Sequence, residues 1–424
     1  MSLQSGSPVA RRHHARFAPT RWLVLGCLAA VAAACGGSGS GHARGPAEER
    51  IVFSSLEGLS CVAESDCVAV GSFVPLDADA ATGDPDGDAS ASHTLVESYD
   101  GRHWTTRSSP DEGKGGAVLS AVSCPSAGDC VAVGYFQPKR QDPSSSATPA
   151  RFPLVENFEG GKWRTVSSPA VAPNSALLGV SCPTESSCWA VGDTTTSQGA
   201  TSPVESFFIE TNAGGVWRVA PVATPKAMST NLGSIACSAV ASCVAVGSVA
   251  PANDSSATHP LVEELNGSSW GAVALPTAAS GFGILSAVQC TSTLHCFAVG
   301  NTANTRAVSV PLVLSVAGAI WQVNEAALGE TGESSLTAVA CVARASCTVG
   351  GTSAASLSAR PTVLIATVNA TIWRVQAVAD ASGFVRAISC PQATGCRIVG
   401  SDGSDTLLAD LTDGVWTVQP RPAP

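Results

Sequence analysis

Cysteine is the residue type in this chain that points most directly to chemistry. Of sixteen cysteines, fourteen fall into pairs six positions apart: Cys61 with Cys67, Cys124 with Cys130, Cys182 with Cys188, Cys237 with Cys243, Cys290 with Cys296, Cys341 with Cys347 and Cys390 with Cys396. Two thiols at that spacing can oxidise to a local disulfide or ligate zinc. Structural zinc takes four ligands, commonly closer together or with histidines nearby, and no unit here carries a recurring histidine. Oxidation is therefore the expected chemistry, and it implies an oxidising compartment.

Carboxylates form the second periodic group. Glu97, Glu156, Glu210 and Glu263 each stand seven residues before a tryptophan, with Leu314, Ala366 and Ala409 in the same place further on. Converging carboxylates bind cations or move protons. One per repeat on strands far from a common axis, these four are spread apart, and a structural role is expected. Asp84, Asp86 and Asp88, with Asp77 and Asp79 nearby, carry the alternating acids and glycine of a calcium loop but lack its closing bidentate glutamate. They are read as a solvated acidic loop, so no metal and no cofactor is assigned. His42, His93, His103, His259 and His295 are scattered, and no serine sits in a nucleophile elbow. Trp189 follows Cys188 on an apolar segment and is read as core rather than as a sugar platform. No residue is assigned a catalytic role, and the chain is read as non-enzymatic.

The elements that carry the cysteines recur with them. "LSAVSCPSAGDCVAVGYF" at residues 119 to 136 is one of seven similar stretches, each followed by a short apolar segment, a turn and a tryptophan: Trp104, Trp163, Trp217, Trp270, Trp321, Trp373 and Trp416. Self-similarity at about fifty residues, with four short β-patterned segments per unit, is the signature of a propeller. The expected fold is all-β: a seven-bladed β-propeller over residues 51–424, with four-stranded blades and one Cys-x5-Cys hairpin disulfide in each. Five residues between cysteines suit a hairpin loop that sets them across from each other on adjacent strands. Closing so small a loop contributes roughly 2 kcal/mol. Only 5% of the chain is aromatic, and blades rich in Ala, Ser and Gly bury modest side chains, which is the reason for the staples.

The first fifty residues differ. Arg11, Arg12, Arg16 and Arg21 precede "WLVLGCLAAVAAAC", too short an apolar run for a mature membrane span and placed where a secretory signal belongs. Residues 1–34 are read as a signal peptide. Ala32-Ala33-Ala34-Cys35 followed by "GGSGSG" resembles a bacterial lipobox, departing from it by Ala32 where leucine is usual. The resemblance implies lipidation of Cys35 and a flexible tether over residues 35–50, holding the protein on the outer face of the cytoplasmic membrane; an ordinary signal cut after Ala34 would instead release it. Losing residues 1–34 moves the formal charge from −10 to −14. An acidic surface without a basic run argues against nucleic acid as a partner.

The units resemble the "SCxxxxxCxAVG … GxxW" repeats of secreted and lipid-anchored actinobacterial proteins. The turn at Ser98, Asp100, Gly101 and Trp104 is also similar to the Asp-box of sialidase-like propellers. It lacks one residue between Asp and Gly, and later units carry Glu159, Ala213, Asn266, Ala317 and Asn369 in place of the acid. In that family the box shapes a turn, and its enzymes need an arginine cluster and a tyrosine nucleophile. This chain offers only Tyr99 and Tyr135, and among the innermost strands only Arg386.

Spacing between successive first cysteines falls from 63 to 49 residues, and the excess lies between the second and third strands of the early units. Those loops share a face opposite the disulfide hairpins. Residues 75 to 93 and 137 to 153 are the expected contact surface for an extracytoplasmic protein or a cell-wall polymer; the alternative is that these insertions are merely tolerated. Two functions follow: a membrane-tethered, non-catalytic protein-interaction scaffold, or a glycan-binding propeller by analogy of fold.

Overall fold

In each repeat, alternating small and β-branched residues build four strands that pair in chain order as an antiparallel meander. The computed structural model describes residues 51–75, 91–110, 115–139, 149–169, 172–196, 204–223, 228–251, 258–276, 279, 281–304, 308–317, 320–326, 328, 332–344, 346–356, 359–378 and 381–422. The seven sheets run over residues 51–107, 117–166, 175–219, 228–272, 283–323, 333–376 and 384–418. First strands pack against their neighbours around the axis, so the seven-bladed propeller and its four-stranded blades are as expected. The signal, Cys35 and the tether, Asp77, Asp79, Asp84, Asp86 and Asp88, and His42 lie outside the described residues.

Seven disulfides close the seven hairpins. They join Cys61 to Cys67, Cys124 to Cys130, Cys182 to Cys188, Cys237 to Cys243, Cys290 to Cys296, Cys341 to Cys347 and Cys390 to Cys396. Their Cα atoms lie 4.0 to 4.1 Å apart, near the spacing of a directly opposed, non-hydrogen-bonded antiparallel pair. The two halves of a bridge differ in environment, which the even spacing does not reveal. Cys67, Cys130, Cys188, Cys243, Cys296, Cys347 and Cys396, on the second strands, are all buried. Of the first-strand partners only Cys182 and Cys290 are buried; Cys61, Cys124, Cys237, Cys341 and Cys390 are half-buried. The cause is the sheet order: a second strand is flanked by two others, and a first strand has a neighbour on one side only.

The serine that precedes four of the first cysteines links blades. Ser60, Ser123 and Ser181 accept from the backbone N–H of Cys124, Cys182 and Cys237 in the next blade, each at 3.0 Å. Ser389 accepts from Cys61 at 3.1 Å across the seam between last and first blades.

The glycine of each second strand has a steric cause. Opposite it the first strand bulges, as between Leu56 and Gly58 or Leu119 and Ala121. A Cβ on Gly71, Gly134, Gly192, Gly247, Gly300, Gly351 or Gly400 would collide with the first-strand carbonyl of Ser55, Val118, Ala176, Asn231, Ile284, Ser335 or Phe384. The bulge turns Leu56, Leu119, Leu177, Leu232 and Leu336 into the seams, where all are fully buried. Each such side chain stabilises the fold by roughly 1.5–3 kcal/mol.

The core is thus divided among the seams rather than gathered at a centre. Trp163 packs with Val70 and Val96 of the first blade, and Trp217 with Val131 and Val155 of the second. Six of the repeated tryptophans are buried; Trp373 is half-buried against Phe297. Trp189 is half-buried against the apolar cluster of the third and fourth blades: it meets Trp270 edge-on at 5.5 Å and donates to the carbonyl of Val240. The fourth strand of the third blade is cut to Arg218–Val219, which leaves Trp217 outside the strand.

Ring closure uses no shared strand. Residues of the first strand dock on the last blade: Ser54 N–H donates to Ser404 O, Ser54 Oγ donates to Asp405 at 2.6 Å, and Thr406 N–H donates back to Ser54 Oγ at 3.1 Å.

Candidate functional site on the loop face

An antiparallel meander places the disulfide hairpins and tryptophan turns at one end of every blade. The second-to-third connections and the blade-to-blade links therefore lie at the other. On the first face Asp100 shapes its turn by accepting from the N–H groups of Arg102 and His103 at 2.9 and 2.8 Å, which hold its pKa down. On the second face the connections between second and third strands shrink from residues 76–92 and 137–151 in the first two blades to 402–405 in the last.

The stems of those two longest connections share a feature that the other blades lack. Phe73 pairs across the strands with His93, and Phe136 with Phe152, with ring centroids 5.4 and 5.8 Å apart. In the third to sixth blades the corresponding cross-strand pairs are Thr194 with Ser206, Val249 with His259, Thr302 with Val310 and Ser353 with Thr362, and the last blade's strand pairing ends one residue earlier, at Ser401 with Thr406. Aromatic pairs of this kind contribute about 0.5–1.5 kcal/mol beyond area burial. Each long loop consequently leaves the scaffold from a pinned base.

Two bulge residues of the first strands, Glu57 and Arg386, carry charge. Glu57 of the first blade pairs with Arg386 of the last at 3.5 Å, and Arg386 also lies 5.7 Å from the Phe384 ring. Arg151, at the foot of the second long loop, sits over Tyr135 at 5.2 Å. Burial pushes the Tyr135 phenol up, with Arg151 opposing and Glu57 adding to the rise. Two pairs thus stand on the first, second and last blades, Glu57 with Arg386 and Arg151 with Tyr135, with Glu57 near enough to act on the Tyr135 phenol. The other tyrosine is structural: Tyr99 stacks on Trp104 at 5.3 Å and lies under Arg397 at 4.1 Å.

The structure does not bring the periodic carboxylates together; each is buried in its own seam. Burial pushes Glu97 up to about 8, and Glu210 and Glu263 up to about 7. Their partners come from the preceding blade, at the fifth residue after its tryptophan, a position that sequence reasoning missed. Ser109 donates to Glu156 at 2.6 Å, and Ser168 to Glu210 at 3.0 Å. Arg421 lies close enough to Glu97 to oppose the rise of its pKa. Where the acid is replaced by Leu314, Ala366 or Ala409, the facing residue is Leu275, Ala326 or Val378, packed in the same apolar cluster. The signal was present in the sequence as two columns that change together, with Val222 facing Glu263 as the exception. Among the described residues, no group of His, Cys, Asp and Glu is arranged to hold a metal ion.

No protein-family model matches the chain, and no curated protein sequence matches it. Solved structures do match. YCF48 bound to D1 peptide is 12% identical, with a TM-score of 0.51 over 86% of this chain and 96% of that one. The GH74 enzyme of Niastella koreensis is 12% identical, with a TM-score of 0.49 over 87% of this chain and 55% of its own. Trypanosoma rangeli sialidase is 10% identical, with a TM-score of 0.39 over 87% of this chain and 54% of its own. At these identities the shared property is the propeller fold.

Proposed function

We propose that the chain is a membrane-tethered, extracytoplasmic propeller whose loop face holds another protein, without catalysis of its own. The observation that carries this reading is the pair of pinned stems. The two longest connections stand on adjacent blades of a disulfide-stapled scaffold, and binding segments concentrate on variable loops held by rigid elements. That a propeller of the same fold is solved with a peptide bound is in keeping with a protein partner. The test is a crosslinking pull-down from producing cells with the intact chain and with a version lacking residues 76–90 and 140–148. One discrete protein recovered only with the intact loops is expected; equal recovery without them would contradict the proposal.

Anchoring belongs to the same reading, with residues 1–34 as the export signal, Cys35 as the acylated residue and the tether leading to Ile51. Two or three acyl chains hold a protein stably, whereas a single chain does not. Cys35→Ser is expected to move the protein from the membrane fraction to the medium. Its retention in the membrane would rule out Cys35 as the anchor.

A second reading, glycan binding, is favoured by the pairs Glu57 with Arg386 and Arg151 with Tyr135. It predicts retention on purified wall polysaccharide that Arg386→Ala with Arg151→Ala abolishes.

A further inference from the structure

Six seams join blades that the chain itself connects; the seam between the last blade and the first is closed by non-covalent contacts alone. It is also a charged seam. Asp405, in the connection between the second and third strands of the last blade, accepts at Oδ1 from Ser54 Oγ of the first blade at 2.6 Å and from Arg421 at 2.7 Å. The acid of the third strand, Glu97, is 1% exposed and faces these same groups, with one carboxyl oxygen lacking a hydrogen-bond partner among the described residues. Its strand neighbours Ala69 and Thr106 bring no charge, and Ala117–Ser126, the inner strand of the second blade packed on its strand, has none. Of the other charged residues at this seam, Arg397 and Asp410 of the last blade pair with each other at 3.2 Å, and Arg386 of the last blade pairs with Glu57 of the first at 3.5 Å.

We propose that the seam between the first and last blades is a latch that loosens as pH rises, because Glu97, once ionised, competes with Asp405 for Arg421. Asp405 is the residue that holds Ser54, so a guanidinium drawn towards Glu97 weakens the contact on which the ring closes. With its proton on, Glu97 makes no such demand and is buried at the lowest cost. Burial pushes its pKa up to about 8 from an ordinary value of 4.5. The folded seam therefore binds this proton more tightly than the unfolded chain does, and its stabilisation declines as pH rises from the lower value through the upper. Glu210 and Glu263 sit in seams that the chain backbone spans, so their ionisation strains a joint without freeing it. This latch is independent of any partner on the loop face.

The experiment is amide hydrogen exchange on the intact, disulfide-bonded chain at about pH 6 and about pH 8.5, corrected for intrinsic exchange, with the pH range set by the shifted carboxyl. Segments 53–59, 93–99 and 404–411 report the latch, and 285–289 with 312–316 report a seam in which Leu314 replaces the buried acid. Protection at the latch is expected to fall about tenfold or more between the two conditions while the Leu314 seam holds. Glu97→Gln is expected to remove the pH dependence, and Glu97→Leu, which copies the Leu314 arrangement of another blade, serves if the glutamine variant fails to fold. Unchanged protection in the parent chain, an equal fall in both seams, or a fall that persists in the variants would overturn the proposal.

Discussion

Among the described residues Glu263 has neither a seryl hydroxyl nor a cation opposite it: Val222 stands where Ser109 and Ser168 serve the neighbouring acids, and both carboxyl oxygens of Glu263 lack a hydrogen-bond partner. A carboxyl so placed is tolerated while protonated and costly once charged. Its pKa, pushed from 4.5 to about 7, makes folding stability decline as pH rises through that interval. Glu263→Leu should therefore raise resistance to urea by roughly 1–3 kcal/mol at about pH 8 and change it little at about pH 5. An equal effect at both pH values would show that packing, not ionisation, separates the two residues.

At the level of strands, the glycine of each second strand is where local sequence and tertiary shape meet. Gly192→Ala drives a methyl group into the Ala176 carbonyl, whereas Gly160→Ala enters open space in a turn at φ 59°. The first should cost about 3 kcal/mol and the second about 1 kcal/mol in thermal or chemical unfolding. Comparable losses would mean that the bulge yields. The strands themselves were legible because seven repeats set the same apolar alternation and the same cysteine spacing side by side. The bulge was not, since it adds a residue to one strand without changing composition; only the repeated glycine betrays it. Nor was the deeper burial of Cys243, Cys296 and Cys347 than of their partners Cys237, Cys290 and Cys341, which depends on where each strand lies in its sheet. Likewise the glutamate column was visible while its partners were not. Ser109 and Ser168 lie in links between blades and Arg421 follows the last strand, and their role exists only once one blade is packed on the next.

On the scale of the whole molecule, the chain divides its labour between two faces. Disulfides, serine-to-cysteine hydrogen bonds and tight turns hold one face, and connections of unequal length populate the other. The number of blades and the placing of the long loops followed from counting repeats. The pinning of their stems by Phe73 with His93 and Phe136 with Phe152 did not, because each pair depends on strand register. The same holds for the meeting of Glu57 with Arg386, 329 positions apart in a ring that only closure brings together. The central claim is that the loop face of the first two blades is the working surface. Its most direct test is photo-crosslinking in producing cells, with the reactive residue placed at Lys139 or Arg151 on the loop face, or at Val62 or Arg102 on the stapled face. The account predicts one discrete protein adduct from the loop-face positions and none from the stapled face. Adducts arising equally from both faces, or only from Val62 and Arg102, would contradict it.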